Sequence, residues 1–457
     1  MQTPSRSFGP SRLPPLKVEI SLSALINLDE IVSCVTGYDP DALRVEKALE
    51  VIDGLCRSGM GERPHERVAV RAALGRVLAQ DLVSPIDVPS HDNAAMDGYA
   101  FDGSVLGGAP TVSLGIHGEA FAGRVFEGEC PAGRCVRVMT GAVMPAGCDS
   151  VIPQEFTERT GDTIEFLSRA VRPGDNRRRR GEDLTAGRAA LRAGRIIRAA
   201  DLGLAASLGF AELSVHQRVR VAFFSTGDEL RSVGEPLETG CVYDSNRYTL
   251  YGMLARLGIE LIDMGVIPDE PVALERAFRQ AAGCADAIVT SGGVSVGEAD
   301  FIKAMMAKLG DVTFWRIAMR PGRPMAFGRI WSGDRVGEGD SAVLFGLPGN
   351  PVAVMVTFYI FVRHGLLTLM GSQAEGIMPL YARAAEEIPK KPGRTEYRRG
   401  VTFQDTDGTI CVRTTGGQGS GILRSMSDAN CLVVLDHDTS LTKLGDLTKV
   451  IPFDGLV

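Results

Sequence analysis

The stretch at residues 285–300, ADAIVTSGGVSVGEAD, limits what this chain can fold into more than any other. Its apolar start, Ala287, Ile288 and Val289, reads as a short buried strand, and the FIKAMMAKLG run that follows has helical spacing with a glycine stop. The glycines therefore fall in a strand-to-helix turn. Gly292 and Gly293 let backbone approach a ligand with no Cβ in the way, and successive N–H groups near a helix N-terminus suit an anion. The turn reads as a phosphate cradle. Asp300 at its far end is either the N-cap of the helix or a carboxylate that meets a phosphate across a cation, because two anions repel at close range without one.

The flanking sequence has the alternation of an α/β sheet. RVRVAFFSTGDEL gives a buried strand over 219–224 and a turn carrying Thr226, Gly227, Asp228 and Glu229. Carboxylates just past a strand's C-terminal end lie where open parallel sheets bind ligands. A helix over 245–257, a strand over 260–266, acidic Asp269 and Glu270, and a helix over 272–281 lead back to the glycine turn. That order is the signature of parallel, right-handed βαβ units. Farther on, TFWRIAMRPGRPMAF places Arg316, Arg320 and Arg323 around a Pro-Gly-Arg-Pro turn, as exposed strand positions or as anion ligands. A strand over 341–345 then leads through GLPGNP (346–351) into an apolar helix over 352–369, with Asn350 and Pro351 at its start. The longest apolar run, 352–362, is too short to span a bilayer and reads as a buried helix.

The rest of the chain divides around this section. Helical spacing over 41–55 and a strand-like piece near 68–82 serve a scaffold, expected over 41–84 and 171–216. Over 85–170, short strands broken by Gly and Pro predict a small β domain inserted in that scaffold. It opens with HDNAAMDGYAF, where Asp92, Asn93 and Asp97 form an Asx-rich turn or a set of ligating carbonyls. In CVRVMTGAVMPAGCDSVIPQE the hydroxyl of Thr140 opens a glycine turn that a hairpin alone could explain. GDNRRRRGED (174–183) packs four arginines between turn residues, as a solvated charge run or as a clamp of planar donor forks on an oxyanion. From residue 373 short strands return, including TTGGQGSGIL (414–423), so a second small β domain ends the chain.

Composition narrows the ligand class. At 457 residues the chain has room for about three domains. A net charge of -7 argues against general nucleic-acid binding, so anionic ligands need local basic pockets. Nine scattered cysteines without a C-x-x-C pair predict reduced thiols in a cytoplasm, and six dispersed histidines outline no metal site. Residues 1–40 read as a disordered extension without the apolar core of a signal peptide.

Seven segments in order, DNAAMDGYA, VMTGAVMPAGCDSVIPQE, NRRRRGEDL, FSTGDEL, TSGGVSVGEAD, FWRIAMRPGRP and GLPGNP, resemble the molybdopterin molybdenumtransferase family, that of MoeA and the C-terminal domain of gephyrin. The resemblance runs from about residue 43 to the C-terminus. It implies an elongated, discontinuous α/β-plus-β chain that dimerises, with a molybdopterin-binding α/β domain over 217–372 and a barrel-like C-terminal β domain. It implies a Mg²⁺-dependent reaction in which adenylylated molybdopterin loses AMP and its dithiolene receives molybdate. Partners would be an upstream adenylyltransferase and downstream apo-molybdoenzymes or cofactor carriers, with neither nucleic acid nor membrane.

By the same resemblance, Asp97, Thr140, Asp183, Glu229, Asp269, Asp300, Arg316 and Arg320 carry the reaction. Thr226, Gly227, Ser291, Gly292, Gly293, Ser295, Gly297, Arg323, Pro348, Gly349, Asn350, Pro351 and Ser420 bind substrate, and Asp228, Glu229 and Asp300 hold the metal. The family implies a cleft between the β domain of one subunit and the α/β domain of the other. The chain departs from well-studied members at Arg316 and Arg320, where they have lysines; arginine keeps the charge but does not release a proton at ordinary pH. A non-catalytic carrier or scaffold of the cofactor is the alternative reading, and the neighbouring adenylyltransferase step a third. The acidic residues favour catalysis over a carrier, and the two extra β domains and the MDGYA segment argue against the third.

Overall fold

The computed structural model describes residues 28–33, 35, 39–58, 63–293, 299–373 and 376–456. Ser295, Gly297 and most of the expected N-terminal extension lie outside the described residues, as does the side chain of Asp300. The chain forms two compact units, one of Met1–Pro64, Arg218–Met370 and Glu375–Val457, the other of His65–Gln217 and Gly371–Ala374.

The first unit is built on a six-stranded sheet in the order Glu260–Ile267, Arg220–Thr226, Ala287–Ser291, Ser341–Leu347, Pro324–Trp331, Gly310–Arg316. The first four strands run parallel. The three inner ones among them are buried along almost their whole length, as continuous apolar runs are when helices cover both faces of a sheet. On one face, helix Pro271–Cys284 turns Leu274, Ala277, Phe278, Ala281 and Ala282 inward, a helical i, i+3, i+4 pattern, and Phe278 meets Phe224 edge-on at 5.2 Å. On the other face helix Arg363–Leu369 crosses the strand at Phe345. Gly365 permits the crossing, since a Cβ there would come within 2.6 Å of the Phe345 ring.

Three expectations need correcting here. The sheet is mixed: Pro324–Trp331 is antiparallel to both its neighbours, Gly310–Arg316 and Ser341–Leu347. The connection over 317–323 is too short for a crossover helix and allows only an antiparallel return. Helix Val45–Ser58, in the segment assigned to the scaffold, packs in this unit, where Thr368 donates to Asp53 and Leu43 bridges to Ile317. The apolar run at 352–362, expected to be too short to span a bilayer, belongs to a longer helix, the one expected over 352–369. That helix continues through a π turn at Phe358–Val362 to Leu369, and its 19 residues are long and apolar enough, by length and composition alone, to cross a membrane. With 83% of that window buried inside the protein, it has the environment of a core helix.

The C-terminal part of this unit is a closed barrel. Thr395–Gln404 pairs with Ile410–Thr414, then Leu380–Ala384, Leu447–Pro452 and Cys431–Leu435, which returns to pair with Thr395–Gln404. Ala382, Val412, Val433 and Val450 fill its interior. Closure removes every exposed edge but the one taken by Met319–Arg320, which lies parallel to Thr395 and Glu396.

The second unit joins a helix-and-ribbon part to a β-sheet, each with its own buried residues. Helix Ala199–Ser207 and the ribbon of His65–Ala69 with Glu212–His216 surround Leu78, Leu191, Leu213 and Val215. A six-stranded mixed sheet, from Ser150–Pro153 through Gly98–Phe101 and Arg134–Val138 to Glu158–Thr160, buries separate clusters around Phe101 and Val136.

Candidate functional site

In the first unit the chain leaves strand Arg220–Thr226 for the edge strand on one side and returns to Ala287–Ser291 on the other. The two lie side by side with Ser225 opposite Ser291. The crevice past their C-terminal ends is the switch point at which open α/β sheets receive ligands. Gly292 sits there at φ +93°, and a Cβ on it would lie 2.5 Å from the Thr226 carbonyl oxygen. Gly293 follows at φ +69°. No L side chain fits the first position without moving the neighbouring strand end.

A third strand end joins them. The Gly292 N–H donates to the Leu347 carbonyl at 3.1 Å, which places the glycine turn against the proline turn. Pro348 is buried, Gly349 and Asn350 are exposed, and a Cβ on Gly349 would lie 3.9 Å from Gly292 Cα. Asn350 is the N-cap and Pro351 the first residue of the helix that follows. The Val352 N–H, free in a first turn, donates to the Ser420 carbonyl at 3.1 Å, so the barrel's glycine loop is fastened to this helix start. Thr226, Gly227, Ser291, Gly292, Gly293, Pro348, Gly349, Asn350, Pro351 and Ser420 are thus one connected constellation.

The carboxylates stand at its edge. Asp228 and Glu229 are exposed past the first strand. Asp228 Oδ1 accepts from the Asp269 N–H at 3.3 Å, and the Glu229 carboxylate folds back over Gly227, where a Cβ would lie 2.5 Å from Oε2. Among the described residues no group of three or more His, Cys, Asp or Glu side chains gathers to hold a metal. Two exposed carboxylates beside a glycine turn have the hard oxygen donors that Mg²⁺ takes, an ion usually held by one or two carboxylates together with substrate phosphates.

The three arginines of the Pro-Gly-Arg-Pro turn are exposed. Arg316 lies 3.8 Å from Asp41, itself largely exposed, and no ion pair is found for Arg320 or Arg323 among the described residues. Sequence reasoning missed Arg399, which is 1% exposed and donates to Ser425 Oγ and to the carbonyls of Gly417 and Gly419. Burial, helped by the charges of Arg320 and Arg398, pulls its pKa down to about 10. It also missed Asn246, whose Nδ2 donates to Ser291 Oγ and the Gly349 carbonyl, both at 2.7 Å.

The remaining predicted residues lie in the second unit. Asp97 accepts from both the Thr140 hydroxyl and its N–H at 2.7 Å, and these bonds hold its carboxyl below the usual carboxylate range. The arginine run is largely engaged by carboxylates of its own unit. Arg177 Nε donates to Asp92 at 2.9 Å, Arg178 to Glu182 at 2.8 Å and Arg180 to Asp87 at 2.6 Å. A clamp of four free forks is therefore not what forms; among the described residues only the exposed Arg179 side chain is outside such a pair. Asp183 is exposed, its N–H donating to the Val88 carbonyl.

Family models match nearly the whole described chain. They are the MoeA N-terminal region (domain I and II) at residues 43–209, a probable molybdopterin binding domain at 222–368 and the MoeA C-terminal region (domain IV) at 381–453. The chain is 40% identical over 393 residues to the molybdopterin molybdenumtransferase of Haemophilus influenzae, covering 86% of this chain and 95% of that one. It is 35% identical over 377 residues to that of a Nostoc species, covering 81% and 84%. A crystal structure of the molybdopterin biosynthesis moeA protein of Pyrococcus horikoshii superposes with a TM-score of 0.74 at 28% identity, covering 90% of this chain and all of that one. The glycine turn, the proline turn and the barrel loop fastened to it are thus parts of a chain that belongs to the MoeA family of molybdopterin molybdenumtransferases, enzymes of molybdenum cofactor biosynthesis.

Proposed function

We propose that this chain inserts molybdate into the dithiolene of adenylylated molybdopterin, with release of AMP. The observation that carries the reading is the junction of glycine and proline turns at the switch point, where Gly292 and Gly293 take positive φ against the end of the first strand and the Gly292 N–H ties the two turns together. The turn binds the pterin phosphate. Asp228 and Glu229, with Asp300, would hold Mg²⁺, which when bound would supply positive charge to the scissile phosphate. Arg320 and Arg323 hold anionic groups by charge, Arg316 assisting, and none of the three moves a proton. Asp97, kept ionised by Thr140, with Asp183, orders the oxyanion end, and Asp269 steadies Asp228 through its N–H.

The protein acts in the cytoplasm as a homodimer, receiving its substrate from an adenylyltransferase and passing the cofactor to apo-molybdoenzymes or carriers. Eight free thiols among the described residues support the compartment. The test is incubation of purified protein with adenylylated molybdopterin, Mg²⁺ and molybdate, following AMP release and reconstitution of an apo-molybdoenzyme. Release of AMP coupled to reconstitution supports the reading. Retention of cofactor without AMP would replace it with a carrier.

A further inference from the structure

One buried amide joins the two turns of the site. Asn246 is the second residue of helix Ser245–Arg256 and only 8% exposed. Its Nδ2 has two hydrogens, and both are used: one on Ser291 Oγ, at the end of the strand that opens the glycine turn, the other on the Gly349 carbonyl of the proline turn. The helix that presents it is fixed at its start by Asp244, a 2% exposed N-cap whose Oδ1 accepts from the Arg247 N–H at 3.1 Å. Where Gly349 approaches Gly292, both residues lack side chains, so no packing there sets the distance between the turns. Hydrogen bonds must do so. Asn246 supplies two of them, and the Gly292 N–H to the Leu347 carbonyl a third.

The surroundings are polar and short of partners. Asn246 Oδ1, Thr226 Oγ1 and Asp244 Oδ2 are buried without a hydrogen-bond partner. Buried polar atoms left so are costly and call for an explanation. Asparagine is also the side chain that fits the geometry: aspartate of equal shape has no hydrogen to give, and alanine reaches neither acceptor.

We propose that Asn246 is the positioning residue that sets the spacing of the glycine and proline turns, and thereby the affinity for the pterin phosphate of the substrate. This rests on the reading above that the glycine turn binds that phosphate. Loss of the amide lets the turns separate, which weakens the pterin substrate and leaves molybdate untouched. The experiment compares Asn246→Asp, Asn246→Ala, Ser291→Ala and the Asn246→Ala/Ser291→Ala double variant. Asn246→Ala is expected to raise the KM for adenylylated molybdopterin about tenfold, the scale of two lost hydrogen bonds, with the molybdate KM unchanged. The double variant should be scarcely worse than the poorer single one, since the residues act through one contact. Two KM values rising together with a fall in Tm, or full additivity, would overturn the proposal.

Hydrogen exchange supplies a readout that needs no turnover. In Asn246→Asp the Gly292 and Val352 amides should exchange at least several-fold faster than in the parent, while the amides of strand Ser341–Leu347 do not. If the parent releases no AMP, the proposed function fails, yet the exchange measurement still decides the positioning role. Unchanged exchange at both amides overturns it, as does a uniform rise across the sheet.

Discussion

The glycine turn of the first unit and the arginine loop of the second both looked in sequence like anion sites, and they are built in opposite ways. Around Gly292 the chain exposes backbone and leaves buried polar atoms of Thr226 and Asn246 without partners. Around residues 177–180 the guanidiniums find carboxylates in the protein itself, at Asp92, Glu182 and Asp87. A stretch with few charged side chains thus keeps buried polar atoms without partners, and one crowded with charge uses most of that charge in pairs within its unit. Charge density in a sequence measures what could bind. Only pairing shows what is left over.

The sharpest way to break this comparison is to fill the backbone crevice. Gly292→Val combines a φ of +93° with a Cβ 2.5 Å from the Thr226 carbonyl, and should destabilise the first unit by about 2–4 kcal/mol and abolish turnover. Calorimetry together with AMP release checks both; a variant of parent stability would mean that the turn has slack. Next comes charge at the two sites. Arg320→Ala is expected to raise the substrate or molybdate requirement on the order of tenfold with unchanged Tm, and Arg320→Lys to keep most activity, measured by steady-state kinetics.

Within the arginine loop the prediction is a division of labour. Arg177→Ala should cost about 1 kcal/mol of stability in denaturant unfolding, a value already reduced for the partial exposure of its pair with Asp92. Arg179→Ala should leave unfolding unchanged and weaken molybdate binding a few-fold. Equal stability losses in the two variants would erase the distinction drawn here. The smallest effect concerns Asp97. Thr140→Ala removes one of the two bonds that depress its carboxyl, so its titration should move upward toward 3.8. Because the folded-state value is the lower one, any stability linked to this group is present at neutral pH and lost as pH falls through it; the variant should lose it at a higher pH. Carbon-detected NMR titration of the Asp97 carboxyl measures the shift.

Much of the α/β sheet was legible because a strand buried on both faces writes itself as a continuous apolar run, as in Val221, Ala222, Phe223 and Phe224. Gly292 was legible as a turn, since paired glycines close an apolar strand run, while the same signal fits a plain tight turn as well as a ligand cradle. What stayed hidden depends on partners far along the chain. Arg177 meets Asp92 across 85 residues, Arg180 meets Asp87 across 93, and Asn246 meets Gly349 across 103. Local spacing carries no trace of such pairs. A signal for Asn246 did exist: Asp244 is an N-cap residue before a helix, and a second Asx residue inside the first turn is poorly suited to helix unless its side chain is engaged elsewhere. Arg399 stands opposite Leu432, on the strand face turned away from the barrel interior, and is buried by the glycine loop at 417–419, a cover that strand spacing does not foretell. Helix Val45–Ser58 had a readable stripe, but the surface that stripe meets is formed some 300 residues later.

The solitary charge of Arg399 reaches beyond the loop it holds. Its hydrogen bonds go to carbonyls and a hydroxyl, none to a carboxylate, so a full positive charge stands behind a wall of low polarisability. Field lines from such a charge leave through the most polarisable path, the solvent beyond the glycine loop of residues 415–421, and mobile ions cannot approach close enough to quench them at the source. The arginines of the Pro-Gly-Arg-Pro turn stand in water, where salt screens them. An anion seated against that loop, inside the volume that excludes mobile ions, should therefore feel Arg399 with less dependence on ionic strength than it feels the exposed arginines.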